Sequence, residues 1–373
     1  MNYFISSGEA SGDLHASHLM AALRALDKDA RFTFLGGDLM AEAAGTRPLI
    51  HYRDMAYMGF SEVIRHLPDV LGNLRRARGE LRHTRPDALV CVDYPSFNLR
   101  LADEAVQSGI PVYWFIAPKV WAWKEWRVRK LRHLCRRVLC ILPFEPEWFA
   151  ARGVNAEYVG NPSVAETDTL LSTLREREEM IADLDLTHRP LLLLAPGSRQ
   201  GEIRNNLPVM AAVARRRRDM QAVVAAAPGI NPDFYRHYTT LPLVERSTLE
   251  LMARADAALV TSGTATLECA LAGTPQVVLY RANGSRLSYE IMKRLLHVSH
   301  VSLPNLIAGR TVVPEKLLHE CTPGDVNDAL SAIVPGAPGR DAQLAGYAEM
   351  RRRLGNDDAA ANAARIIFND LTK

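Results

Sequence analysis

Four short segments bring together residue types that bind anions or move protons. GEASGD, residues 8–13, follows a short apolar run. Its glycines and serine let backbone amides approach a ligand at a helix N-terminus, which is a ready anion site. Glu9 adds a carboxylate suited to gripping a hydroxyl, with Ser11 and Gly12 as candidate contacts beside it. Neither the dinucleotide fingerprint GxGxxG nor a Walker A Gly-Lys-Ser/Thr is present, and a plain N-cap turn would use the same residues. VDYPSFN, residues 92–98, puts Asp93 at the end of a hydrophobic run. Partial desolvation there raises proton affinity, as a general base requires; capping of the next helix is the blander use of the same carboxylate. Asn98 in this segment is a candidate substrate contact.

The other two segments lie in the second half. APGSRQGEI, residues 195–203, supplies amides at Gly197, a hydroxyl at Ser198 and a forked cation at Arg199, a set that suits a pyrophosphate. A structural turn accounts for Pro-Gly but not for Arg199. TSGTATLECAL, residues 261–271, places Ser262, Gly263 and Thr264 at a helix start, where the helix field favours anions by ~0.3–1 kcal/mol. Glu268, about one turn inside, can take ribose hydroxyls or simply be a solvated helix residue. Asp183 and Asp185 have DxD spacing but fall in a helical run with Ile181 and Leu184, so no metal and no cofactor is expected. Anion loops in one half and a carboxylate loop in the other match the division of labour of a nucleotide-sugar transferase with donor and acceptor lobes.

These loops need a scaffold that sets them at strand ends. Short apolar runs alternate with helical stretches throughout. Strands are expected at residues 2–6, 32–36, 88–93, 112–116, 138–142 and 157–159, then at 191–195, 222–226, 257–261 and 276–280. Helices are expected at residues 15–26, 247–255 and 358–371, and the run at 169–184 is helical in period. Unbroken β-rich runs between helices argue for parallel sheets covered on both faces. Ligands in such sheets bind beyond the carboxyl ends of the strands. The expected fold is α/β, two Rossmann-like domains facing across a cleft. The N-terminal acceptor domain would span residues 1–163 and the C-terminal UDP-sugar domain 164–355. A last helix, 356–373, would pack back on the first domain.

Bulk properties narrow the class. The 373 residues are 48% hydrophobic and 23% charged, which is globular composition with room for two cores. Net charge is only +3, so any basic surface is local. The five cysteines form no CxxC pair and read as buried thiols in a reducing compartment. No signal-peptide pattern opens the chain, and no apolar run approaches the ~18–20 residues needed to span a bilayer. A cytoplasmic location is expected.

In combination the motifs resemble the lipid-A-disaccharide synthases, inverting glycosyltransferases of the two-Rossmann (GT-B) type. The matching pieces, in order, are SGEASGD, MGFSEV, VDYPSFN, PKVWAW, LPFE, APGSR, TSGTATLE and VSLPNLIAGR, running from residue 7 to residue 310. The resemblance implies UDP-2,3-diacylglucosamine as donor and 2,3-diacylglucosamine 1-phosphate (lipid X) as acceptor. It implies a β-1,6-linked disaccharide and UDP as products. Asp93 matches the family's candidate base, with Glu9 as the other catalytic candidate, and Arg199 matches a functional arginine. Glu268 and residues 262–264 match the donor side, and Asn305 and Arg310 a segment near the nucleotide. Asn161-Pro162 departs from the family's His-Pro. The resemblance also suggests a homodimer.

Lipid substrates require access to a bilayer. Val63, Ile64, Leu67, Val70, Leu71 and Leu74 recur at near-helical spacing, followed by Arg75, Arg76 and Arg78. Such a face can lie in a membrane interface or against a core. Residues 121–137, WAWKEWRVRKLRHLCRR, suit anionic headgroups and a lipid phosphate or form a solvated basic face. A peripheral position on the inner face of a bacterial cytoplasmic membrane is expected. The alternatives are a UDP-sugar 2-epimerase on the same fold and another transferase of this type, such as the one making the peptidoglycan disaccharide lipid. Nucleic acid is not an expected partner, because no recognised binding module is present.

Overall fold

A parallel strand with both faces covered must be apolar along its whole length, and residues 88–92 (ALVCV) and 191–195 (LLLLA) are buried throughout. They are central strands of two separate sheets. The computed structural model describes residues 1–55, 67–122, 124–245, 248–281 and 300–373. It divides into one unit of residues 1–162 and 356–373 and a second of residues 163–355.

The first unit runs β1 (Asn2–Ser7), α1 (Ala10–Leu26), β2 (Arg31–Gly36), α2 (Asp38–Ala44), β3 (Ile50–His51) and α3 (Leu67–Thr84). It continues through β4 (Ala88–Val92), α4 (Pro95–Gln107), β5 (Val112–Phe115), α5 (Val128–Leu134), β6 (Arg137–Cys140), α6 (Glu145–Ala150) and β7 (Ala156–Tyr158). The second unit holds α7 (Pro162–Leu171, which begins on the boundary), α8 (Arg177–Asp183), β8 (Leu191–Ala195), α9 (Gln200–Arg216), β9 (Gln221–Ala226), α10 (Pro232–Arg236) and β10 (Leu243–Glu245). It ends with α11 (Thr248–Arg254), β11 (Ala257–Thr261), α12 (Thr264–Leu271), β12 (Gln276–Tyr280), α13 (Leu303–Ala308), β13 (Glu315–Leu317), α14 (Pro323–Ser331) and α15 (Pro338–Leu354). The last helix, α16 (Ala359–Leu371), returns to the first unit.

The strand order is β3-β2-β1-β4-β5-β6-β7 in the first sheet and β10-β9-β8-β11-β12-β13 in the second. All strand pairings among the described residues are parallel. Each order reverses direction once, between β1 and β4 and between β8 and β11, and crevices for ligands open at such reversals. Side-chain alternation divides each core in two. Phe4, Leu89 and Trp114 pack toward α3 and α4, while Tyr3, Ile5 and Val90 pack toward α1 and α16. Leu192, Leu194 and Leu259 pack toward α9 and α14, with Leu191, Leu193 and Val260 on the other face.

Helix α16 presents Ala359, Ala363, Ala364 and Ile367 to Leu19, Met20 and Leu23 of α1. Its far end is pinned by charge. Asp370 accepts from Arg137 Nε at 2.5 Å and Nη2 at 3.1 Å, and Arg136 Nη2 donates to the Asp370 carbonyl at 3.1 Å. The Arg137 hydrogen bonds hold the Asp370 carboxyl below its ordinary value. A depressed acid stabilises the fold above its unfolded pKa and loses that stabilisation as pH falls through its folded one. Asp370→Ala is expected to lower the unfolding free energy by roughly 1.5–3 kcal/mol at neutral pH. In denaturant titrations the gap from wild type should shrink as the solution is acidified below the ordinary Asp range.

Several expectations need correction. The helical run at 169–184 is two helices, α7 and α8, with residues 172–176 between them. Helix α1 starts at Ala10 rather than His15, because the Glu9 carbonyl already accepts from Asp13 N at 2.9 Å. GEASGD is therefore mostly the first turn of a helix. Of the apolar stripe, Val63 and Ile64 lie outside the described residues, as do the MGFSEV motif, Trp123 and the Leu67 side chain. Leu74 is buried with Ala77 and Leu81, the core-facing alternative, whereas Leu71 is exposed. All five cysteines are free thiols, four buried and Cys135 half-buried. No helix among the described residues is long and apolar enough to cross a membrane.

Candidate active site

In the first unit, register sets the two loops side by side. Ser6 pairs with Cys91 and Ser7 with Val92, so Gly8 and Asp93 leave neighbouring strands at one level. The loop after β4 is a dipeptide, Asp93 and Tyr94, both left-handed at φ +44° and +47°. Such a conformation in two consecutive non-glycine residues costs of order 1 kcal/mol or more each and collects at functional sites. The Tyr94 ring closes on the first loop, where a Cβ on Gly8 would fall 2.4 Å from it. Gly12 allows α1 to start against β1, since a Cβ there would meet Ser7 Oγ at 2.3 Å.

The Asp93 side chain is exposed at the surface, yet the protein packed around it desolvates the carboxyl enough to raise it above the ordinary range. Lys119, the Tyr94 amide and His15 act in the opposite sense. Helix α4 has Tyr94 at its N-cap with no side-chain cap bond, so Asp93 does not cap it. Glu9 and Ser11 are exposed at the start of α1. Asp13, in the same motif, is buried and accepts from the amides of Gly37, Leu39 and Met40 at 2.6–3.2 Å, capping α2.

Asn98 is fully buried, and its side chain clamps the two strand ends. Oδ1 accepts from Ser6 Oγ at 2.6 Å, and Nδ2 donates to Ser6 O at 3.2 Å and to Asp93 O at 2.8 Å. This fixes the backbone of the left-handed dipeptide. Asn98→Ala is expected to lower kcat by roughly a hundredfold through misplacement of Asp93. Steady-state kinetics should show the KM for donor little changed; a pure KM effect would mean that Asn98 touches substrate instead.

Beyond Asp93, β5 is followed by Ile116, which is left-handed at φ +64°. PKVWAW follows and is tied to LPFE through Glu145. The buried Glu145 carboxylate accepts from Trp121 Nε1 at 2.9 Å and Leu142 N at 3.0 Å. Burial pushes its carboxyl up to about 7 against those donors and Lys119. Asn161, at the family's histidine position, is buried and donates to Ile141 O at 2.9 Å.

In the second unit, Val260 pairs with Ala195, so residues 197–199 and 262–264 leave adjacent strands together. Gly197 is left-handed at φ +115°, with Glu202 packed where a Cβ would go. Glu202 Oε2 accepts from Ser198 N at 3.1 Å, and Glu202 lies 3.6 Å from the exposed Arg199 guanidinium. An internal carboxylate thus rests on donors suited to a phosphate. The start of α12 has Gly263 at its N-cap and no side-chain cap, with Gly263 and Thr264 exposed. Glu268 is half-buried, its carboxyl raised by burial and by the neighbouring Glu166.

Asn305 and Arg310 are placed differently from these loops. Asn305 is fully buried; it donates to Val313 O at 2.9 Å and Glu315 at 2.8 Å, and accepts from the amides of Val312 and Val313. Glu315 also takes the amides of Val301 and Ser302 and the Ser302 hydroxyl, and Val301 O accepts from Ser262 Oγ at 3.1 Å. Asn305 and Glu315 therefore buttress the Ser262 loop from behind. Arg310 is exposed and pairs with Glu349 at 2.6 Å. Asp183 pairs with Arg175, and the described residues contain no cluster of His, Cys, Asp or Glu that could hold a metal.

Two Rossmann-like units, each with its loops at a strand-order reversal, define the GT-B class of glycosyltransferases and sugar-nucleotide epimerases. Solved structures agree. The chain superposes on a UDP-GlcNAc 2-epimerase from Neisseria meningitidis bound to UDP-GlcNAc with TM-score 0.63, at 14% identity and with all of both chains covered. It superposes on CalG4, the calicheamicin glycosyltransferase, with TM-score 0.59, at 15% identity and covering 100% of this chain and 98% of that one. Identities this low establish the fold alone. Sequence decides between the two chemistries: residues 3–357 match the family model for lipid-A-disaccharide synthetase. The lipid-A-disaccharide synthase of Myxococcus xanthus is 41% identical over 377 aligned residues, covering 98% of this chain and 97% of its own. The chain belongs to the lipid-A-disaccharide synthase family. Its reaction is UDP-sugar-dependent glycosyl transfer in lipid A biosynthesis, which removes the epimerase alternative.

Proposed function

We propose that the chain joins UDP-2,3-diacylglucosamine to 2,3-diacylglucosamine 1-phosphate. The products are the β-1,6-linked disaccharide 1-phosphate and UDP. Asp93 takes the proton from the acceptor's 6-hydroxyl as that oxygen bonds to the donor's anomeric carbon. The bond from that carbon to the diphosphate breaks, and UDP leaves with the electron pair. Positioned base catalysis of this kind supplies ~10²–10⁴-fold. Arg199, the amides near Gly197 and Ser198, and the uncapped start of α12 take up the growing negative charge on UDP. Glu268 suits the ribose hydroxyls, and Glu9 suits an acceptor hydroxyl.

The observation that carries this reading is the state of Asp93: a carboxylate on a left-handed dipeptide at a strand-order reversal, with raised proton affinity. The enzyme would work on the inner face of the cytoplasmic membrane, where Trp126, 62% exposed, and its basic neighbours could enter the headgroup layer. Incubation with both lipid-linked sugars, with UDP and disaccharide scored by mass, tests the assignment. Disaccharide and UDP should appear in equal amounts and only together. UDP release without acceptor, or a product of different mass, would overturn it.

A further inference from the structure

Arg100 and Arg127 meet at Ser96, three positions after Asp93, without acidic partners among the described residues, and the reaction steps above do not use them. Ser96, in the first turn of α4, is exposed. Arg127 Nη2 donates to its hydroxyl at 3.3 Å, and Arg100 Nη1 donates to its carbonyl at 3.0 Å. Arg127 Nε is buried with no hydrogen-bond partner. Lys124, left-handed at φ +57°, lies three positions before Arg127. Nearby cations are matched by acids: Lys130 by Asp103 at 3.4 Å, Arg82 by Glu104 at 2.7 Å and Arg152 by Glu125 at 2.7 Å. Among the described residues no acidic side chain pairs with Arg100 or Arg127.

The electrostatics agree with the geometry. Desolvation and then Arg100 lower the Arg127 value, while desolvation and then Arg127 lower that of Lys124. Like charges held together in this way are relieved by a bound anion. The start of α4 has no side-chain cap and adds its own positive field.

We propose that Arg100, Lys124, Arg127, Ser96 and the N-terminus of α4 form a phosphate-monoester subsite that holds the 1-phosphate of the acceptor sugar. This rests on the acceptor assigned above. Ser96 lies three positions after Asp93, a reach of at most about 11 Å even fully extended. On a hexopyranose, C1 and C6 lie on the two sides of the ring oxygen, so one loop can serve both. Anchoring the phosphate would turn the 6-hydroxyl toward the base and would select a phosphorylated acceptor over a neutral one.

The test compares two acceptors in neutral detergent micelles at fixed ionic strength: 2,3-diacylglucosamine 1-phosphate and the same sugar lacking the phosphate. Arg100→Ala and Arg127→Ala should each raise the KM for the phosphorylated acceptor roughly 10–100-fold, as loss of a charge-assisted hydrogen bond does. With the neutral acceptor, the variants and wild type should behave alike, and thermal unfolding should be unchanged. Arg127→Lys should recover part of the loss. Equal losses on both acceptors, or none on either, would overturn the subsite. A second arm measures sedimentation with phosphatidylglycerol–phosphatidylethanolamine vesicles. Variants that lose vesicle binding but keep the preference for phosphorylated acceptor would make the cluster a headgroup site and overturn the proposal. Wild-type protein that makes no disaccharide from either acceptor would overturn the parent reading, and the subsite with it.

Discussion

Asp93→Asn is expected to abolish disaccharide formation, with turnover falling by about 10²–10⁴-fold, while the protein stays folded and still binds UDP-sugar. Asparagine fills the same volume and can still accept the Tyr94 amide hydrogen bond, but it cannot take a proton. Because desolvation raises the Asp93 carboxyl, the acid limb of the wild-type kcat/KM profile should lie above the ordinary Asp range, and the variant's residual rate should lack that limb. The stability effect has the opposite sign from Asp370. A carboxyl raised in the folded state costs stability as pH climbs from its unfolded to its folded value. The variant should therefore unfold at the same temperature as wild type or slightly higher at neutral pH. Turnover within a few-fold of wild type in a mass-resolved assay would remove Asp93 as the base.

Arg199→Ala is expected to cut kcat/KM by about 10²–10³-fold, the range seen when one donor to a developing anion is removed. The guanidinium is exposed and lies 3.6 Å from Glu202. Its removal would leave the Glu202 carboxylate facing an incoming diphosphate with no compensating charge. UDP should bind more weakly as a product inhibitor, and Arg199→Lys should restore charge but not the two-pronged geometry, giving partial recovery. Isothermal titration with UDP separates binding from chemistry. Unchanged UDP affinity together with unchanged turnover would place the diphosphate elsewhere.

Much of the fold could be read from periodicity. The central strands at 191–195, 257–261 and 276–280 appear where the apolar runs are, because burial on both faces keeps polar residues to their ends, Thr261 and Gln276 among them. The edge strands β3, β7, β10 and β13 are two or three residues long, too short to leave an alternation in sequence, and only β7 coincides with an expected run. The loops at 8–13, 92–98, 195–203 and 261–271 do sit at the two strand-order reversals. What residue type could not reveal was the division inside each motif. Asn98, a candidate substrate contact by residue type, clamps β1 to β4, and Asp13 caps α2, through partners 92 and 24 positions away in the chain. Glu202 and Glu315 carry no sequence signature, because a lone glutamate in a helix or edge strand has none until its partners are in place. Fold similarity alone would also have misled, since the TM-score to an epimerase exceeds that to a transferase. The motif set running from residue 7 to residue 310 carried the reaction class instead.

The return of α16 to the first unit has a consequence for biogenesis. The first 162 residues leave the ribosome with one face of their sheet only partly covered, and the helix that completes it emerges only after all of residues 163–355. The second unit, contiguous in sequence, can fold while synthesis continues. The nascent N-terminal portion must meanwhile wait with Leu19, Met20 and Leu23 short of their final neighbours, a window in which a chaperone would find its client.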